Sequence, residues 1–140
     1  MTTTGHPVTT ALSACTATAR TDLARHPRAA RRARTWARAA LCHWQITGEQ
    51  ASDVEVVLSE FVTNSLLHAC GGIRAELGLL SAGGIRVEVH DDGPAAQCTR
   101  ADQEDHGRGL QITTALAVHS GWDGAADHST AWATLPAARL

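Results

Sequence analysis

The stretch VVLSEFVTNSLLHA, residues 56–69, decides how the chain folds. Through it and the turn before it, apolar or small side chains recur at Val54, Val57, Leu58, Phe61, Val62, Ser65, Leu66 and Ala69. That spacing is the 3.6-residue period of an α-helix with one face in a core. Glu60 and Asn64 stand inside it four residues apart, which puts them on one face, a turn from each other, at the border of the apolar stripe. Half-exposed polar residues are the ordinary explanation of such a pair. A carboxylate and a carboxamide turned toward a ligand are the alternative. Upstream, Thr47-Gly-Glu-Gln50 reads as a T-x-x-Q capping box that opens the helix, and Gly71-Gly72 reads as its stop.

Working outward, Ile73, Ala75, Leu77 and Leu79 alternate with mostly polar residues, SAGG makes a turn, and IRVEVH (residues 85–90) alternates again. Two such runs around a glycine-rich turn predict an antiparallel hairpin with one apolar face. Alternation carries Asp91 to the same face as Ile85, Val87 and Val89, while Arg86, Glu88 and His90 point the other way. A carboxylate delivered to the floor of an apolar pocket costs several kcal/mol without a partner. Being an acceptor only, it suits an exocyclic amine such as N6 of adenine. Asp91-Asp92-Gly93-Pro94 also reads as a plain turn, which accounts for Asp92 better than for Asp91.

On the N-terminal side, Pro27 suits the first turn of a helix running to about His43. Its inward stripe is Ala33, Trp36, Ala37, Ala40, Leu41 and Trp44, with Arg28, Arg31, Arg32 and Arg38 on the exposed side. A short strand is expected around Cys15–Arg20. Beyond the hairpin, Pro94 to His106 is polar and irregular. HGRGL (residues 106–110) then opens a further helix through Ile112, Ala115, Leu116 and Val118. Glycines at such a place let backbone N–H groups converge on phosphate oxygens, and Arg108 adds a charge-assisted contact. Residues 121–128 read as a turn and STAWATLP (129–136) as a last strand. The order gives an α+β fold, a two-layer sandwich with helices on one face of a mixed, mostly antiparallel sheet. Residues 14–136 form the single domain, with tails at 1–13 and 137–140.

Composition excludes several classes. At 140 residues and 44% hydrophobic, the chain is one globular domain. Its net charge of −2 supplies no general basic field for nucleic acid. All twelve basic residues are Arg. No signal-peptide pattern opens the chain, and no apolar run approaches the ~18 residues of a membrane span, so a cytoplasmic location is expected. Cys15, Cys42, Cys70 and Cys98 are scattered singly, unlike zinc-site pairs, and read as reduced small hydrophobes. The eight histidines belong to no nucleophile motif; His68 reads as a helix-end residue near the pocket, His106 as part of the polar loop.

In this order and at these separations, E-F-V-T-N, V-x-V-x-D-D-G and G-R-G-L resemble the GHKL ATPase superfamily. Within it, EFVTNSLLHA is most similar to bacterial anti-sigma factors that are serine-protein kinases, and to short actinobacterial ATP-binding regulators. The resemblance implies a Bergerat-type, histidine-kinase-like ATP fold binding ATP and Mg²⁺. Glu60 then matches the carboxylate that polarises the attacking hydroxyl or water, and Asn64 the Mg²⁺ ligand. His68 lies beside them, and Asp91 matches the adenine anchor with Gly93 as its turn. Gly107, Arg108, Gly109 and Leu110 match the second glycine box, residues 94–106 the lid, and Ser129 or Thr130 the hydroxyl near adenine. The implied reaction is phosphoryl transfer to a serine of a small anti-anti-sigma (STAS-type) protein that competes with a sigma factor, with a homodimer as the common assembly. The chain departs from the pattern at Ala95, where a second glycine is usual, at Leu67, where a basic residue is frequent, and at Ser129, where another is frequent. These departures motivate the alternative, a nucleotide-gated or catalytically weak anti-sigma binding module without kinase turnover.

Overall fold

The computed structural model describes residues 15–69, 71–92, 112–124 and 128–137. In chain order the elements are β1 (Ala17–Leu23), α1 (Ala29–His43), α2 (Gly48–His68), β2 (Ile73–Leu79), β3 (Ile85–Asp91), β4 (His119–Gly124) and β5 (Ser129–Leu135). Residues 112–116 are also helical. The five strands form one sheet in the order β1-β2-β3-β5-β4, with every neighbouring pair antiparallel. α1 and α2 pack on each other and on one face of that sheet, the two-layer arrangement expected, and the pairing is antiparallel throughout.

The core lies between those layers. Ala33, Ala37 and Leu41 from α1, and Val54, Val57, Leu58, Phe61 and Val62 from α2, meet Ile73, Ala75, Leu77, Ile85, Val87 and Val89 from the hairpin. The small alanine stripe of α1 lets the helix approach its neighbours closely, while Trp36, Ala40 and Trp44 close the rim half-buried. In the hairpin turn, Gly83 takes a φ of +96°, a left-handed conformation that glycine adopts without strain.

Four expectations are corrected. Residues 121–128 do not simply turn, because His119–Gly124 is an edge strand paired to β5. Thr47 is the N-cap of α2 but makes no side-chain cap bond. Gln50 instead donates to the carbonyl oxygens of Gly83 (2.8 Å) and Pro136 (3.1 Å), tying the helix start to the hairpin turn and the end of β5. At the other end α2 stops at His68 with Ala69 extended, two residues before the left-handed Gly71. Cys42 is exposed rather than packed, and neither it nor the half-buried Cys15 is in a disulfide.

Candidate functional site

The site is built on a row of residues in direct register across the sheet. Leu23 faces Ile73, Ile73 faces Asp91, and Asp91 faces Ser129. This row ends the strands on the side where α2 terminates, since Ile73 follows the helix after a short turn. Asp91 shares the helix-covered face of β3 with Val87 and Val89, and only 6% of it is exposed. Ser129 Oγ donates to Asp91 Oδ1 at 2.5 Å. Among the described residues this hydroxyl is the only one bonded to the carboxylate, and it leaves acceptor capacity there for a further donor.

Glu60, Asn64 and His68 follow one another at four-residue steps on α2, each half-buried, with His68 the last residue of the helix. Between them the buried Ser65 hydroxyl has no hydrogen-bond partner among the described residues, nor has the buried Thr113 hydroxyl. Leaving a buried hydroxyl unsatisfied costs about 1–3 kcal/mol, a cost that a bound polar ligand removes. The C-terminal half of α2 therefore carries an unpartnered buried hydroxyl, that of Ser65, on the side of the sheet that holds Asp91.

Thr130, offered with Ser129 as the hydroxyl beside the anchor, lies on the opposite face of the sheet, because successive residues of a strand point to opposite sides. Its Oγ1 sits 2.9 Å from His90 Nδ1. Of the two hydroxyls, Ser129 is the one beside Asp91. Gly93, Gly107, Arg108, Gly109 and Leu110 fall outside the described residues, as do Ala95 and the expected lid. Leu67 is exposed.

Sequence reasoning missed two features. Arg25, in the connection between β1 and α1, donates to the carbonyl oxygens of Ser65, Ala69 (2.6 Å) and Gly71 (3.4 Å). Burial draws its guanidinium below the usual value, while the charge of Asp91 opposes that shift. No motif flags an arginine in a connecting loop. The second is the far face of β3, where Arg86 and Glu88 point away from the helices as expected yet are buried, 5% and 0% exposed. Arg86 Nε donates to Glu88 Oε2 at 3.1 Å, and its guanidinium lies 4.3 Å from the centre of the Trp132 ring. His90 Nε2 stands 3.0 Å from Glu88 Oε1 and 3.6 Å from Glu76 Oε2, and Arg74 pairs with Glu76 at 3.0 Å. Each carboxylate of this cluster thus has its own arginine.

A buried carboxylate and hydroxyl thus stand in register at one sheet end of a two-layer domain whose second helix carries a glutamate and an asparagine one turn apart. Residues 23–131 match the histidine kinase-like ATPase domain family, and the chain belongs to that family. Among solved structures, the RsbU and RsbW domains of Rv1364c from Mycobacterium tuberculosis superpose with a TM-score of 0.69 at 25% identity, covering 87% of this chain. This chain spans 33% of the length of that one. No curated protein matches the chain in sequence. Among the described residues no helix is long and apolar enough to cross a membrane.

Proposed function

We propose that the chain is an ATP-binding regulator of the anti-sigma type that transfers the γ-phosphoryl group of ATP to a serine of a small anti-anti-sigma partner. The observation that carries this reading is the buried Asp91–Ser129 pair at the sheet end served by the C-terminal half of α2. The similarity to a protein whose solved domains include one named RsbW supports the anti-sigma direction. In this reading Asp91 accepts from the adenine amine, Ser129 orients the carboxylate, and the orphaned Ser65 hydroxyl gains a partner from the base or its water.

The donor set on α2 fits a magnesium nucleotide. Asn64 offers an oxygen ligand of the kind a hard cation takes, and Glu60, a turn away, is left as the base that takes the serine proton. Bound Mg²⁺ would supply charge neutralisation on the phosphates. The protein's own part is to hold the acceptor hydroxyl and the phosphoryl group in line, with a carboxylate in reach of the hydroxyl.

Two measurements test the proposal. ATP titrated into the protein should bind more tightly with Mg²⁺ than without, and Asn64→Ala should erase that difference. Labelled ATP with an anti-anti-sigma protein should give phosphoserine that Glu60→Ala abolishes. Transfer surviving Glu60→Ala removes the base assignment. Tight ATP and partner binding with no transfer by the unaltered protein favours the regulator without turnover, for which the departures at Leu67, Ala95 and Ser129 speak.

A further inference from the structure

Arg25 places its guanidinium on a part of the chain forty residues or more away. Nη2 donates to the carbonyl oxygens of Ser65 and Ala69, Nη1 to that of Gly71. These acceptors belong to the last turn of α2, its C-cap and the turn into β2. The Ser65 carbonyl also accepts from the Ala69 N–H, but the helix end carries the negative end of the dipole, so a cation there is favourable. Arg25 also sits two residues past Leu23, which shares the register row of Asp91. A buried carboxylate beside the negative end of a helix faces two negative potentials, and Arg25 is the cation held against that helix end.

We propose that Arg25 is a positioning residue of the nucleotide site, one that locks the last turn of α2 in register with Asp91 and sets a positive charge against the helix end beside that carboxylate. The inference rests on the reading of Asp91 as the adenine anchor given above. The electrostatic coupling already noted between Arg25 and Asp91 agrees with it. A helix cap alone would affect stability, and would lower the affinity of every nucleotide alike. An effect routed through the Asp91 carboxylate falls on nucleotides whose base donates from an exocyclic amine, and spares those that do not.

The test compares ADP with IDP, whose base carries an oxygen where adenine carries its amine, by calorimetry on the full chain. Arg25→Met should weaken ADP about tenfold or more and IDP less than about threefold, the loss of one charge-assisted contact. Arg25→Lys, which keeps the charge without the fork, should preserve the ADP preference even where its melting temperature falls; if Arg25→Met does not fold, Arg25→Gln serves in its place and should show the same selective loss of ADP. Equal losses for the two nucleotides, or no loss for either, overturn the positioning role while leaving the nucleotide site standing. A wild-type chain that binds no ADP overturns the site itself, and this inference with it.

Discussion

Replacing Glu88 by Gln keeps the volume of a side chain that is fully buried and removes its charge. Two partners lean on that carboxylate from opposite sides: Arg86 Nε at 3.1 Å and His90 Nε2 at 3.0 Å. His90 Nε2 faces the oxygens of two glutamates, which can only accept from it, and Thr130 Oγ1 lies 2.9 Å from its Nδ1. A carboxamide can accept from one of these donors, but its NH₂ group then opposes the other. Breaking a buried ion pair by removing one partner costs about 3–5 kcal/mol. Arg86 retains the indole of Trp132 and the Thr134 hydroxyl at 3.4 Å, so about 2–4 kcal/mol is expected here. With a urea slope of roughly 1–3 kcal/mol/M, the unfolding midpoint followed by circular dichroism should fall by about 0.7–4 M. Glu55→Gln is the control: its partner Arg38 is 66% exposed, and the midpoint should not move measurably. The double variant Arg86→Met/Glu88→Leu should recover most of the loss, since the pair is then removed rather than broken. A Glu88→Gln midpoint no lower than that of Glu55→Gln would refute the reasoning.

Ser129→Ala removes the only hydroxyl seen on Asp91 among the described residues and should weaken ADP about tenfold by calorimetry, with Ser129→Thr close to wild type; a change under twofold would speak against the pair as part of the site. Gly121→Ala would place a Cβ 2.6 Å from the Trp132 ring, and the resulting shift of the indole under Arg86 should cost about 1–3 kcal/mol in urea unfolding. Burial pushes the Cys15 thiol up, so less of it is thiolate near neutral pH, and its share rises as pH climbs. Iodoacetamide followed by peptide mass spectrometry should therefore mark the exposed Cys42 well before Cys15, and equal rates would contradict that.

How much of this was legible depended on whether an element's own residues set its conformation. α2 announced itself by period, and the hairpin by alternation around SAGG, because each buries one face against a core made by those same residues. β4 did not. HSGWDG has two glycines and little apolar character, and as an edge strand it owes its shape to β5, whose Trp132 lies over Gly121. The capping box failed for a similar reason, since Gln50 found better acceptors at Gly83 and Pro136, more than thirty residues off. The faces on which Glu60, Asn64 and Asp91 lie could be read from spacing, because a helix turn and a strand alternation fix where side chains point. Arg25 could not, because a loop has no period to read, and the burial of Arg86 and Glu88 could not, because alternation gives a direction but not what covers it.

The pairing of β3 with β5 connects these two faces. His90 meets Thr130 and Asp91 meets Ser129, each hydroxyl bonded to the residue directly opposite, one pair on each side of the sheet. A slip of β5 by one residue would turn every one of its side chains to the other face. Ser129 would then leave the helix-covered side and Asp91 would lose its donor in a buried place, while Trp132 would leave Arg86. Both losses are large compared with the cost of a frayed edge, and they occur together. The ion network on the outer face therefore does more than satisfy its own charges: through β5 it fixes the register that brings a hydroxyl to the carboxylate on the inner face. On this view, loosening the outer network at Glu88 should weaken nucleotide binding as well as stability, although the outer face lies across the sheet from the proposed site. If Glu88→Gln instead kept its ADP affinity under conditions where it remained folded, the two faces would be independent.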